Sequence, residues 1–427
     1  MTSFFRAAAA AISFLIFLAA CGSGATDRDF SFIVFGDTRL PGYLPYNDAA
    51  SVQQFFEQVG SYAGGPCVTV TTAPSFDPVT RQVTQVEIDT QIVKAAPCHG
   101  TPAKTIMDVS NGWPDKLQRQ DEATGMWIQL LRADGQKWVY EQVVEEIGRG
   151  AQRPEGPAFA LHTGDVTYSG YQGTQRDVSP YWRDFNERLL SQLPPGAPDG
   201  LPARFFPALG NHETWLDPDI EGVLSTMPYL TGAPLDFSRT NRIYKFDYRG
   251  SRFIFLDTGD MHPDDPARVH SQYPAWERQM EMLAAWLAEA RKSGLNRAFI
   301  TFHNPAFATT GAGAIPADQN PHRLIAQFAA DLDIIVFNGH VHTTELFEKD
   351  GVRYLLLGNG GGEQDYSPCE PPRNCTSRDD ELYWKSENRV EEYNYLVVTV
   401  SQGGVQMKLR RYRPEAATPF ETVELFR

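Results

Sequence analysis

Five short clusters of donor-bearing residues punctuate this sequence: Gly36-Asp37-Thr38-Arg39, Gly164-Asp165-Val166-Thr167-Tyr168, Gly210-Asn211-His212-Glu213, Thr301-Phe302-His303-Asn304-Pro305 and Asn338-Gly339-His340-Val341-His342. Any one alone would pass for a turn, because Gly, Asp and Asn supply tight turns for local reasons. Together they offer two carboxylates (Asp37, Asp165), one amide (Asn211) and three imidazoles (His303, His340, His342). Such a mixed oxygen and nitrogen set suits borderline metals such as zinc, iron or manganese and suits calcium poorly. Six donors exceed one tetrahedral zinc site but serve two ions if a carboxylate bridges them. Two ions about 3.5 to 4 Å apart can clamp a phosphate and generate a hydroxide nucleophile at mild pH.

Such donors need rigid supports, and each cluster follows an apolar run. Phe30 to Phe35, Ala158 to His162, Arg204 to Leu209, Arg252 to Leu256, Arg297 to Phe302, Asp333 to Phe337 and Arg353 to Leu357 each read as a buried strand ending in Gly, Asp, Asn or His. Between them, Gln136 to Ile147 and Pro274 to Ala290 carry apolar residues at helical spacing. This alternation predicts an α/β core with buried sheets, whose sites sit in loops at the carboxyl ends of strands. Pro41 to about Gly125 interrupts the rhythm and predicts an inserted subdomain with a small hairpin at Val68 to Thr71 and Val83 to Ile88. Gly360 to about Asn388 is a second interruption, and Tyr395 to Val400 with Val405 to Tyr412 read as a terminal hairpin.

The ordered series resembles the five signature motifs of the calcineurin-like metallophosphoesterases, over roughly Phe30 to Asn359. The resemblance implies a four-layer sandwich of two mixed β-sheets flanked by helices, with the insertion at 41–125. It also implies two metal ions, with Asp37 and His342 binding the first, Asn211, His303 and His340 the second, and Asp165 bridging. His212 matches the family's catalytic His, which contacts the phosphate and helps protonate the leaving oxygen. Arg39 stands where most of the family has a metal-binding His, and an Arg cannot ligate. Purple acid phosphatases also lack that His and use the Tyr of the second motif, here Tyr168; the competing reading is an aromatic packed over the site. Gly339 to Glu345 further resembles their GHxHxxE run, with Leu346 where an Arg often follows. Arg39 is either a guanidinium facing phosphate oxygens or an Arg paired with an acid such as Glu213. The expected reaction is hydrolysis of phosphate esters by a metal-bound hydroxide, phosphomonoesters first, phosphodiesters or nucleotides second. A surface binding protein that keeps the fold without turnover is the rival reading.

The remaining histidines carry no motif: His99, His262, His270 and His322 read as solvated, and His162 as a strand His satisfied by a neighbour. The glycines of Gly358 to Gly362 lack the spacing of a nucleotide-binding loop and instead suit a backbone passing close beneath the site.

The 427 residues, 42% hydrophobic, can bury a large core, and the formal charge of -15 argues against a sequence-independent grip on nucleic acid. No protein partner is indicated. Arg6 and the apolar run Ala7 to Ala20 predict an export signal over 1–20. The ending Leu18-Ala19-Ala20-Cys21 resembles the lipobox of bacterial lipoproteins, in which that Cys is lipidated; an ordinary signal peptide with a chance Cys is the plainer reading. Residues 21–29 then form a tether, and 30–427 the folded domain, anchored at a bacterial membrane and facing the periplasm or the exterior. Of the three pairings open to the other four cysteines, Cys67 with Cys98 and Cys369 with Cys375 is favoured, since each pair lies within one Pro- and Gly-rich stretch.

Overall fold

Along β-strands successive side chains face opposite ways, and here that alternation divides the apolar residues between two cores. Phe253, Phe255, Phe299, Ile335 and Phe337 join the larger core, while their sequence neighbours Ile254, Ala298, Ile300, Ile334 and Val336 join a second one. The strands that carry them are therefore covered on both faces, which is why they read as continuous apolar runs.

The computed structural model describes residues 29–38, 68–76, 83–92, 104–108, 118–120, 127–129, 139–153, 156–167, 182, 185–186, 189–215, 217–259, 272–311, 313–361, 368–370, 373–376, 382–385, 392–412 and 421–425. In chain order the elements are β1 (Phe30–Phe35), β2 (Val68–Phe76), β3 (Val83–Ile92), β4 (Lys104–Asp108), β5 (Gln118–Gln120), β6 (Trp127–Gln129), α1 (Val139–Gly150), β7 (Pro157–His162) and β8 (Phe205–Pro207). Next come α2 (Asn211–Trp215), α3 (Glu221–Thr226), β9 (Tyr244–Tyr248), β10 (Ser251–Phe255), α4 (Trp276–Lys292), β11 (Arg297–Thr301), α5 (His322–Ile325) and β12 (Asp333–Asn338). The chain continues through β13 (Thr344–Lys349), β14 (Val352–Leu357), β15 (Leu382–Lys385), β16 (Tyr393–Ser401), β17 (Gly404–Tyr412) and β18 (Glu421–Leu425).

Two large sheets result, one of six strands in the order β18-β17-β16-β1-β7-β8 and one of seven in the order β15-β13-β14-β12-β11-β10-β9. Both are mixed: β1, β7 and β8 run parallel, as do β10, β11, β12 and β14, and the other pairings are antiparallel. The larger core contains an aromatic cluster in which Phe32 of the first sheet stacks on Phe159 at 5.5 Å and meets Phe253 and Phe299 of the second edge-on at 5.2 and 4.9 Å. Helix α1 presents Val139, Val143 and Ile147 to this core and packs on β7; α4 covers the second sheet with Leu283, Leu287 and Ala290. Helix, sheet, sheet and helix are the four layers expected.

Between β1 and α1 the structure has a three-stranded sheet, β2-β3-β4, where a hairpin was expected, and a separate β5-β6 pair. The terminal hairpin is β16-β17, extended by β18. In the second interruption Cys369 and Cys375 form the expected disulfide. Residues 1–28, and with them Cys21, lie outside the described residues, as do Cys67 and Cys98. No helix among the described residues is long and apolar enough to cross a membrane.

Candidate metal centre

Parallel strands bring their carboxyl ends to one edge, and the donor clusters of the sequence follow those ends. β1 leads to Asp37, β7 to Asp165, β8 to Asn211 at the start of α2, β11 to His303, and β12 to His340 and His342. All but His340 are buried, and His340 is partly so. Asp37, Asp165 and His342 form a group whose ligating atoms all lie within 4.8 Å of one another, able to hold a metal ion. Asn211 Oδ1 stands 3.0 Å from His303 Nε2 and 3.0 Å from His340 Nδ1. Asp165 Oδ1 lies 3.3 Å from His303 Nε2, so this carboxylate touches both groups. His342 Nε2 is 3.5 Å from Asp37 Oδ1.

Backbone geometry aims these donors. Asp37, Asp165 and His340 have φ of 52°, 55° and 73°. Non-glycine residues in that left-handed region cost about 1–3 kcal/mol each and collect at functional sites. The surrounding turns hold them there. Asp37 N donates to Gly164 O at 3.0 Å, and His340 N donates to both Asp37 carboxylate oxygens at 3.0 Å. A Cβ on Gly339 would sit 2.4 Å from Asp37 Oδ2, so only glycine lets these two loops meet. The glycine run after β14 does pass close beneath: a Cβ on Gly360 would sit 2.0 Å from Gly36 O.

His162 is satisfied as expected, through partners that the sequence did not name. Its Nδ1 accepts Gly164 N–H at 3.1 Å, which assigns the proton to Nε2, 3.0 Å from Thr38 Oγ1; that hydroxyl donates to Val166 O at 2.9 Å. The chain ties the Asp37 loop to the Asp165 loop through a neutral imidazole. Burial lowers the His162 pKa to about 3. For His303 burial works in the same direction, but Asp165, Asp37 and Glu213 outweigh it and raise the pKa to about 9. Burial raises the Asp37 carboxyl above its usual range despite His342 and His303. Burial, reinforced by Asp165, raises Glu213 to about 7.

His212 is buried, with Nε2 3.7 Å from Asp165 Oδ2 and its backbone N donating to Asp165 Oδ1 at 3.1 Å. Tyr168 and Arg39 lie outside the described residues. Glu213 accepts four backbone N–H bonds; its expected pairing with Arg39 falls on a residue outside those described. Glu345 secures the loop beyond His303, accepting Thr309 N at 2.7 Å and the Thr309 and Thr310 hydroxyls at 2.8 and 2.5 Å. The expectation of a solvated His322 is corrected. Its Nδ1 meets Tyr354 OH at 2.8 Å and its Nε2 meets Asp350 Oδ2 at 2.9 Å, because β14 and the turn before it reach across to α5. His99, His262 and His270 lie outside the described residues.

Fold and site together define a two-sheet α/β protein with a buried oxygen and nitrogen donor cluster at the strand ends. Residues 108–344, more than half of the chain, match the family model "Calcineurin-like phosphoesterase", and the protein belongs to that family of metal-dependent hydrolases. Asp37 precedes the matched span, yet its carboxylate accepts the backbone N–H of His340 inside it. No curated protein matches the chain. Among solved structures it is similar to the purple acid phosphatase PPD1 from yellow lupin (Lupinus luteus) seeds, at 15% identity over 80% of this chain and 59% of that one, TM-score 0.43. GAP50 of Plasmodium, the anchor in the inner membrane complex, matches at 15% identity over 69% and 84%, TM-score 0.42. A dimetal phosphatase from Danio rerio matches at 11% identity over 67% and 88%, TM-score 0.39.

Proposed function

We propose that this site hydrolyses phosphate esters, phosphomonoesters in preference to diesters, with two ions of iron, zinc or manganese. The observation that carries the reading is the convergence of six donors from five strand ends into one cluster, with Asp165 shared between its halves. Asp37 and His342 would hold one ion and Asn211, His303 and His340 the other, with Asp165 placed to serve both. Bound there, the ions supply positive charge that neutralises the phosphate and makes a water acidic enough to attack it.

The chain's own groups do the rest. His303 must give up the proton that Asp165, Asp37 and Glu213 favour before it can ligate. His212 holds a proton at Nε2 for the leaving oxygen, its ring kept near the site by Asp165. Arg39 follows Asp37 by two residues and gives the phosphate oxygens a planar pair of donors. Tyr168 would serve as a further ligand to the first ion; a coloured iron form that Tyr168→Phe bleaches would support this, and a colourless active zinc form would remove it. A lipid at Cys21 holds the domain outside the cytoplasm, on the strength of the Leu18-Ala19-Ala20-Cys21 pattern.

The test is turnover of p-nitrophenyl phosphate and its bis ester by the purified protein supplied with zinc, manganese or iron. Faster monoester hydrolysis is expected. A preference for the bis ester would reassign the chain to phosphodiester chemistry, and no turnover with any metal would favour the non-catalytic binding protein.

A further inference from the structure

Glu213 is 1% exposed, and among the described residues it accepts hydrogen bonds from four backbone N–H groups. Its Oε1 accepts Val166 N at 2.8 Å and Thr167 N at 3.2 Å; its Oε2 accepts Asp165 N at 2.9 Å and Gly210 N at 2.8 Å. Three of these amides belong to the turn that begins with left-handed Asp165, and successive N–H groups of such a turn converge into an anion-binding concavity. The fourth belongs to the turn carrying Asn211. The exchange is reciprocal, because Asp165 Oδ1 accepts the backbone N–H of His212 at 3.1 Å. Each turn thus lends a carboxylate to the backbone of the other. They can approach so closely because residue 210 is glycine, where a Cβ would lie 2.2 Å from Asp165 Oδ1.

We propose that Glu213 is a positioning residue for the metal centre, a carboxylate brace that fixes the Asp165 turn against the Asn211 turn and so sets the spacing of the bridging and amide ligands. The effect runs through the backbone, and as an inference about metal binding it rests on the two-ion reading above. A carboxylate with two oxygens can accept four N–H bonds. A glutamine of the same shape has one acceptor oxygen, and its NH₂ would face two of the four donors. The brace therefore predicts that the near-isosteric variant is strongly defective, whereas a merely space-filling role predicts that it is silent.

The experiment compares full-length protein with Glu213→Gln and Glu213→Asp. Metal-free samples are followed by amide hydrogen exchange, then titrated calorimetrically with Mn²⁺. Glu213→Gln should speed exchange at Asp165, Val166, Thr167 and Gly210 while β10, β11 and β12 stay protected, and should weaken Mn²⁺ binding by about 10- to 100-fold. Glu213→Asp, which keeps charge and acceptor count on a shorter stem, should recover part of both. Unchanged exchange and Mn²⁺ affinity in Glu213→Gln would overturn the brace, as would an aspartate variant no better than the glutamine one. If the unaltered protein binds no Mn²⁺, Zn²⁺ or iron, the two-ion reading fails on its own, and the exchange comparison still decides whether Glu213 holds the two turns together.

Discussion

Acidification should expose the cost of keeping His162 neutral. Its folded pKa of about 3 lies below the ordinary 6.5, so the unfolded chain takes up a proton in a pH range where the folded chain does not. The stability due to the neutral imidazole is fully present above 6.5 and is lost as pH falls toward 3. At about 1.4 kcal/mol per pH unit, going from well above 6.5 to pH 5 removes about 2 kcal/mol through this residue. Asp257 acts in the opposite direction: burial raises its folded value to about 6, so the fold gains stability as it protonates. The unaltered protein alone would blur these contributions. His162→Gln isolates one of them, because an amide can accept from Gly164 N–H and donate to Thr38 without titrating. Urea denaturation of metal-free protein at pH 8 and pH 5 should show the unaltered protein losing about 2 kcal/mol more than His162→Gln between the two conditions. Equal losses would refute the reasoning.

Metal affinity should rise with pH. His303, at about 9 without a cation, must shed its proton on ligation, so Mn²⁺ binding at pH 7 should release about one proton and tighten about tenfold per pH unit up to about 9. Calorimetry in buffers of different ionisation heat reads the release, and a pH-independent affinity would contradict the raised value. Phe32→Ala should cost about 3–5 kcal/mol in denaturant titrations, because the ring packs on Phe159, Phe253 and Phe299 across both sheets; a loss under 1 kcal/mol would show that the cluster is dispensable. Thr38→Val would strand the His162 Nε2–H and the Val166 carbonyl and should cost about 1–3 kcal/mol. A neutral Thr38→Val would mean that water replaces the hydroxyl.

The strands that bear the site were legible because they are buried on both faces: β1 and β12 present almost unbroken apolar runs that end in glycine and a donor. The six donors were legible for the same reason, since residue type and position after a strand survive in the linear chain. Glu213 was not, because its role arises only when turns 46 to 48 residues apart close on each other. Thr38 and His162, joined across 124 residues, are similar. β9 carries a period-two signal at Tyr244, Phe246 and Tyr248 but spans only five residues, and β13 is polar at four of its six positions, with Glu345 turned inward to hold Thr309 and Thr310. His322 misled because its partners Tyr354 and Asp350 lie 32 and 28 residues further along the chain.

The proposed function requires Asp37, Asp165, Asn211, His303, His340 and His342 to seat two ions. Anomalous X-ray diffraction at the metal edges, on crystals of protein purified without chelator, tests it most directly. Two peaks about 3.5 to 4 Å apart, one beside Asp37 and His342, the other beside Asn211, His303 and His340, with Asp165 between them, are the predicted result. A single peak, or none in crystals grown with zinc, manganese and iron, would contradict it.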